Sequence, residues 1–172
     1  VYVVYPHSVA ETLTTIRNLG QITGEAASAE KLASSIEARI EKVRRQVSRF
    51  PKTATLGCVM LQPLTVAGPD TFVDDLIGIA GGLNIVPPGS SRYPTWNTEA
   101  LLAINPEVII VSSHPGQPDA ELFFSHWKQL QAVQHKRIIL IEADWVHRPG
   151  PRMILGIEAL AKALHPGINI DE

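Results

Sequence analysis

The sequence predicts an α/β fold: a three-layer lobe with a mostly parallel sheet and helices on both faces, plus a long helix of the interlobe type. From residue 54 to residue 164, short apolar runs rich in Val and Ile alternate with amphipathic stretches. Strands that read as unbroken apolar runs are buried on both faces, the position of parallel strands under helices. Ahead of them, one uninterrupted helical pattern carries Leu32, Ile36, Ile40, Val43, Val47 and Phe50 at spacings of three or four, a single narrow seam. A length of 172 residues with 45% hydrophobic and 19% charged side chains gives enough mass for one ordinary core.

Taken in order, residues 1–5, Val-Tyr-Val-Val-Tyr, read as an opening strand that Pro6 breaks. Ser8 and Glu11 then have the form of a capping box, and Val9, Leu13 and Ile16 give a helical stripe that stops at Gly20. The long helix covers residues 25–49 and would span roughly 40 Å, more than its own lobe needs to cover the seam. Pro51 ends it. Strands are expected at 54–61, 107–112 and 137–142, and helices at about 70–80, 119–130 and 151–164. Residues 81–98 form the longest irregular stretch, and long ordered loops in small domains usually serve function. Within it Asn97 is placed to cap a short helix through Leu101 and Ile104, which Pro106 terminates.

Several function classes fall away. The formal net charge of −2 offers no attraction to nucleic acid. Arg39, Lys42, Arg44, Arg45 and Arg49 cluster late in the long helix, where they complement its dipole. Cys58 is the one cysteine, so no internal disulfide or thiolate zinc site can form, and its mid-strand position points to an inert buried thiol. No apolar run is long enough to span a membrane, and no signal-peptide pattern opens the chain. P-loop, dinucleotide-binding and serine-elbow motifs are all missing. His126 and His135 read as surface residues, and His165 as a helix-end residue favoured by the dipole. An enzyme would need an acid, a base or a nucleophile that no motif assembles.

The richest stretch is Asp144-Trp145-Val146-His147-Arg148-Pro149-Gly150-Pro151-Arg152. It leaves the carboxyl end of strand 137–142 and enters a helix, the place where open α/β sheets bind ligands. Asp144 and Arg148 supply an anion and a guanidinium; the alternative is that they brace the loop as a surface ion pair. Tyr93, Trp96 and Trp145 add broad flat faces, which with few polar anchors suit a large planar ligand. The alternative for both tryptophans is a place in the core. His114 and His147 follow strands, and either could contact the metal of a bound cofactor.

These pieces resemble, along the whole chain, the substrate-binding proteins of ABC importers for cobalamin, haem and iron-siderophores. The resemblance rests on Val3-Val4-Tyr5-Pro6 followed by Ile16-Arg17-x-Leu19-Gly20-x-Ile22-Thr23-Gly24, and on Gly68-Pro69-Asp70-Thr71-Phe72 through Ala80-Gly81-Gly82-x-Asn84. It continues in Thr98-Glu99-x-Leu101-Leu102 with Asn105-Pro106-Glu107-Val108-Ile109-Ile110, and in Arg148-Pro149-Gly150-Pro151-Arg152 through Leu164-His165-Pro166.

The resemblance implies an interlobe helix plus the carboxyl-terminal lobe only. Residues 1–52 would be the crossing strand, short helix and interlobe helix, and 53–172 the ligand-binding lobe, with a further lobe ahead of Val1. It implies a non-enzymatic protein without an intrinsic cofactor, periplasmic or extracellular and membrane-anchored, that delivers a metal chelate to an ABC permease. Asp144-Trp145-x-x-Arg148 is closest to the cobalamin-binding members, in which the matching charged pair contacts the amide side chains of the corrin ring. An aromatic matching Tyr93 packs on that ligand. Thr65 falls where those members place another cleft aromatic, so the pattern departs there. Glu99 matches a surface glutamate that docks on the permease; Arg152, at the start of the last helix, reads as structural. Haem or a ferric siderophore is the alternative ligand. An isolated lobe that dimerises through its long helix, covering apolar surface left by an absent lobe, is the competing reading, and a doubly wound enzyme comes third.

Overall fold

A computed structural model describes residues 1–113 and 115–170. Helix α1 (Val9–Thr23) begins as expected: the Ser8 hydroxyl accepts the Glu11 N–H at 3.1 Å, and the Glu11 carboxylate reaches back to accept the His7 N–H at 2.7 Å. Gly20 does not stop it. The helix runs on to Gly24, which takes the left-handed conformation at φ 78°. Gly20 is instead where α1 crosses α2, since a Cβ there would lie 2.2 Å from that of Ala29. Arg17 grips both Glu30 and Glu37 across the same crossing, at 2.8 and 2.9 Å.

Helix α2 (Ala26–Val47) has 22 residues, roughly 33 Å at 1.5 Å each. Its buried stripe is Ala29, Ala33, Ile36, Ile40, Val43 and Val47, so the expected seam is corrected at both ends. Leu32 lies one position off the stripe and is exposed, and Phe50 lies beyond the helix and stacks on His165 at 5.1 Å. Residues 53–172 cover only part of the stripe, as expected, and α1 covers the rest. Helix α1 packs on its first half, and α3 (Phe72–Ile79) and α8 (Met153–Leu164) pack further along.

The described sheet contains β1 (Thr53–Leu61), β2 (Leu64–Val66), β3 (Gly82–Asn84), β4 (Val108–Ser113) and β5 (Ile138–Glu142). Strand β1 pairs in parallel with β4 on one side, and β4 pairs in parallel with β5. On the other side of β1, β3 runs parallel to Thr53, Ala54 and Thr55, while β2 returns antiparallel beside Cys58, Met60 and Leu61. Both short strands therefore share one edge.

Alternation along β4 divides the core. Val108 and Ile110 join a cluster built with α1, α2, α3 and α8, to which residues from both 1–52 and 53–172 contribute. Ile109 and Val111 join Leu56, Leu61, Leu101, Phe124 and Leu130 on the opposite face, under the helices α4 (Thr98–Ile104), α5 (Ala120–Phe124) and α6 (Gln131–Gln134). This is the three-layer arrangement the sequence predicts.

Three further expectations are corrected. Residues 1–7 form no strand, and Val1, Val3 and Tyr5 are exposed; an apolar run becomes a strand only beside a partner, and none pairs with it among the described residues. The helix expected at 119–130 shortens to α5, after which an irregular turn held by the Phe123, Phe124 and Trp127 rings, with centroids 5.0 to 5.9 Å apart, leads to α6 beyond it. His165 stands at the carboxyl end of α8 as expected, but its ring is buried, so burial and not the helix dipole governs it. Burial holds its pKa below the ordinary value, partly opposed by the Ala80 and Gly81 carbonyls.

Candidate functional site

The carboxyl ends of the parallel strands carry the site elements. Strand β5 runs directly into α7 (Ala143–Val146). One turn later, Arg148 donates through Nε to Asp144 Oδ1 at 3.0 Å, and Arg152 approaches Oδ2 at 3.3 Å. The ion pair read as the alternative is therefore present, and the Arg148 side chain remains 74% exposed beyond it. Trp145 packs against the first core cluster. Its carbonyl would lie 2.9 Å from a Cβ on Gly156, so α8 seats against this loop through a bare glycine. His147 is bonded through Nε2 to the Ser112 hydroxyl at the end of β4. His114 lies outside the described residues.

The second element is the stretch before α4. The Val66 N–H donates to Pro94 O (3.1 Å), the Gly68 N–H to Arg92 O (2.7 Å) and the Trp96 N–H to Leu64 O (2.9 Å). Residues 92–96 thus run as a ladder along the outer side of β2, with Thr65 opposite Thr95. Gly68 permits the approach, since a Cβ there would meet Ser91 O at 2.4 Å. Tyr93 projects from this ladder, 48% exposed. Partial burial and the facing Tyr5 phenol push its pKa up, with Arg92 opposing. Trp96 turns into the second core cluster, so the core alternative holds for it.

Tyr93 and His147 line one cavity of about 380 Å³. Its other walls are Tyr5 and His7 from the segment before α1, Ile16 of α1, Phe72 of α3, and Pro149 and Pro151 of the last loop. Asp144, Trp145, Arg148 and Thr65 are not among its lining residues. Thr65 is half-buried and its hydroxyl donates to Pro63 O at 3.2 Å. Glu99 is exposed in the first turn of α4, which Asn97 caps by accepting the Ala100 N–H at 2.9 Å, as the sequence predicts.

Sequence reasoning missed Tyr5, His7 and Phe72. The first two were hidden in the strand reading of residues 1–5 and its proline break. The nearest signal was the pair of aromatic rings flanking Pro6.

Cys58 is buried and its thiol is pushed up to about 12 by burial, so it is a poor ligand and nucleophile. Among the described residues, no group of three or more His, Cys, Asp or Glu could hold a metal ion. No helix among them is long and apolar enough to cross a membrane.

The family profile described as periplasmic binding protein matches residues 1–145. The chain belongs to the periplasmic binding protein family. Among curated relatives of this family member is the vitamin B12-binding protein of Photorhabdus laumondii, 28% identical over 162 residues that cover 93% of this chain and 56% of that protein. A possible iron-binding, periplasmic solute-binding protein of Staphylococcus epidermidis superposes with a TM-score of 0.85 at 25% identity, covering 96% of this chain and 66% of that one. The vitamin B12-binding protein of Vibrio cholerae superposes with a TM-score of 0.83 at 23% identity, covering 95% and 64%, and shows a shared fold. This periplasmic binding protein chain spans about half the length of the curated relatives it matches.

Proposed function

We propose that this chain is the carboxyl-terminal, ligand-binding part of a substrate-binding protein that delivers cobalamin or a related corrinoid to an ABC permease. The observation that carries the reading is the Asp144–Arg148 pair at 3.0 Å, on the loop whose next residues, Pro149 and Pro151, wall the same cavity as the half-exposed Tyr93 ring. A primary amide offers N–H donors and a carbonyl acceptor, which a neighbouring carboxylate and guanidinium complement. A corrinoid carries amides around a flat ring, and Tyr93 supplies an aromatic face for the ring. The P. laumondii relative, named for vitamin B12 binding, supports the same ligand.

In this reading Asp144 and Arg148 anchor, Tyr93 stacks, Trp145 braces the loop from the core, and Thr65 lies on the adjoining strand edge. Binding takes place without chemistry on the ligand and without an intrinsic cofactor. Residues 1–52 link to a further lobe that covers the exposed Val1, Val3, Leu19 and Ile22, with residues 53–172 as the binding lobe. Self-association that covers the same apolar surface is the competing arrangement. Glu99, exposed and away from the cavity, docks on the permease, and the protein works outside the cytoplasmic membrane, in the periplasm or anchored to its outer face.

The Staphylococcus epidermidis neighbour, described as possibly iron-binding, favours one second reading, a haem or ferric siderophore as the ligand. The test is to incubate the protein with equal amounts of cyanocobalamin, haemin and a ferric hydroxamate. The visible spectrum of what it retains after gel filtration then identifies the ligand. A cobalamin spectrum is expected; retention of haem alone transfers the site to the second reading.

A further inference from the structure

The two edges of the sheet are finished differently. On the β2 side, residues 92–96 run along the strand and bond its outward main-chain groups. On the other side, β5 pairs with β4 and with no further strand among the described residues. The Ile109 N–H donates to Arg137 O at 3.0 Å, and Ile109 stands in register with Ile138, and Val111 with Leu140. Main-chain groups alternate in direction along a strand, so Arg137, Ile139 and Ile141 turn theirs towards β4. Ile138 and Leu140 turn their N–H and C=O groups outward.

Natural proteins blunt such an edge with a lysine or proline in the strand, a bulge or a covering element. Strand β5, Ile138-Ile139-Leu140-Ile141-Glu142, has no lysine or proline, and its register with β4 is unbroken. Its side chains add apolar surface instead. Ile138 and Leu140 share the sheet face of Ile109 and Val111, on which α5 lies. Leu140 is nevertheless 57% exposed there, and Leu122 on α5 is 66% exposed.

The two ends of this edge carry opposite charges. Lys136, at the amino end, is exposed and lines one surface cavity together with Leu122 and Ile138. Glu142 is exposed at the carboxyl end, on the same face as Ile138 and Leu140 by alternation. Neither takes an ion pair among the described residues.

We propose that the β5 edge is a self-docking surface, on which a second copy of this chain lays its own β5 antiparallel about a two-fold axis at Ile139. Each Ile138 then faces Leu140 of the second copy and exchanges both main-chain hydrogen bonds with it, which joins the two sheets into one. Each Lys136 comes to stand by Glu142 of the second copy, and the two-fold axis repeats that contact. A parallel approach would set lysine by lysine and glutamate by glutamate, which repel. The order of charges therefore selects the same edge in the antiparallel sense. The contact uses none of Val1, Leu19 and Ile22, and it does not depend on which ligand the lobe binds.

The test is sedimentation equilibrium of the 172-residue chain, with amide hydrogen exchange followed over the same concentrations. A monomer–dimer equilibrium is expected at tens of micromolar, with exchange at the Ile138 and Leu140 N–H groups slowing as the dimer forms. Leu140→Lys, a lysine on the edge, should weaken association by roughly tenfold or more and leave the melting temperature close to the parent's. Lys136→Glu and Glu142→Lys should each weaken it by about fivefold, the scale of exposed ion pairs lost on both sides of the axis. The double variant, with the charges exchanged, should regain the parental association, which a merely damaged fold would not do. Ile22→Lys should leave the dimer intact. A monomer throughout the range would overturn the proposal. So would a dimer that Leu140→Lys spares and Ile22→Lys dissolves, or a charge-exchanged variant no stronger than either single one.

Discussion

Arg148 reaches back one helical turn to Asp144 and closes an ion pair at 3.0 Å, with Arg152 approaching the other carboxylate oxygen at 3.3 Å. Because the Arg148 side chain is largely exposed, the pair adds little to folding. Its value lies in holding a donor and an acceptor side by side. Arg148→Ala should therefore weaken corrinoid binding by roughly 1–3 kcal/mol, the range for a charge-assisted hydrogen bond, with thermal stability nearly unchanged. Calorimetry on Arg148→Ala and Asp144→Ala checks this, and unchanged affinity in both would remove the loop from the site.

Gly68 tests how Tyr93 is held. A methyl group at this position would meet Ser91 O at 2.4 Å, so Gly68→Ala must push residues 91–93 off the edge of β2. A loss of about 1–3 kcal/mol in stability is expected, as for other overpacked sites, together with weaker ligand binding. A variant with parental stability and affinity would show that the ladder does not position the ring.

His165 gives the fold a pH dependence. Burial lowers its folded-state pKa, so the unfolded chain binds the extra proton first as pH falls. The stability it contributes is complete above the unfolded value of about 6.5 and is lost as pH drops from there through the lower folded value. Urea midpoints measured between about pH 7.5 and about pH 5.5 should fall less steeply in His165→Gln than in the parent. Identical slopes would assign that loss to other groups. Glu30 acts in a lower window. Held at about 2 by Arg17, it supports the α1–α2 crossing above the ordinary carboxylate range and loses that support as pH falls through about 2.

Glu99 separates docking from ligand binding. It is exposed at the start of α4 and takes no part in the cavity lining. Glu99→Arg should leave ligand affinity intact and impair permease association, where like charges would then meet. Loss of ligand with permease association preserved would contradict the assigned role.

Much of the scaffold was legible because its signals are local. Ser8 and Asn97 announce their helices through side-chain caps, and Ile36, Ile40, Val43 and Val47 announce α2 by their period. The misreadings share one cause, dependence on distant partners. The alternation of residues 1–5 is strand-like, but a strand requires a neighbour. β2 and β3 have three residues each, too few for a period to register. His165 reads as a helix-end residue, which it is, but its burial shows only when Phe50 stacks on it and Gly81 leaves it room, for a Cβ on Gly81 would lie 2.4 Å from its Nε2. Of the cavity lining, the 81–98 loop pointed to Tyr93 and the 144–152 run to His147, while Asp144 and Arg148 do not line it. Nothing local joined Tyr5 and His7 to Tyr93, because the contact that ties the two segments, His7 with Arg92, spans 85 positions.

The most direct test of the corrinoid reading is a calorimetric titration of the protein with cyanocobalamin, run beside haemin under the same conditions. The account predicts saturable cyanocobalamin binding, one site per chain, tighter than haemin and weakened in both Arg148→Ala and Tyr93→Ala. Haemin binding tighter than cyanocobalamin, or cyanocobalamin binding indifferent to both substitutions, would contradict it.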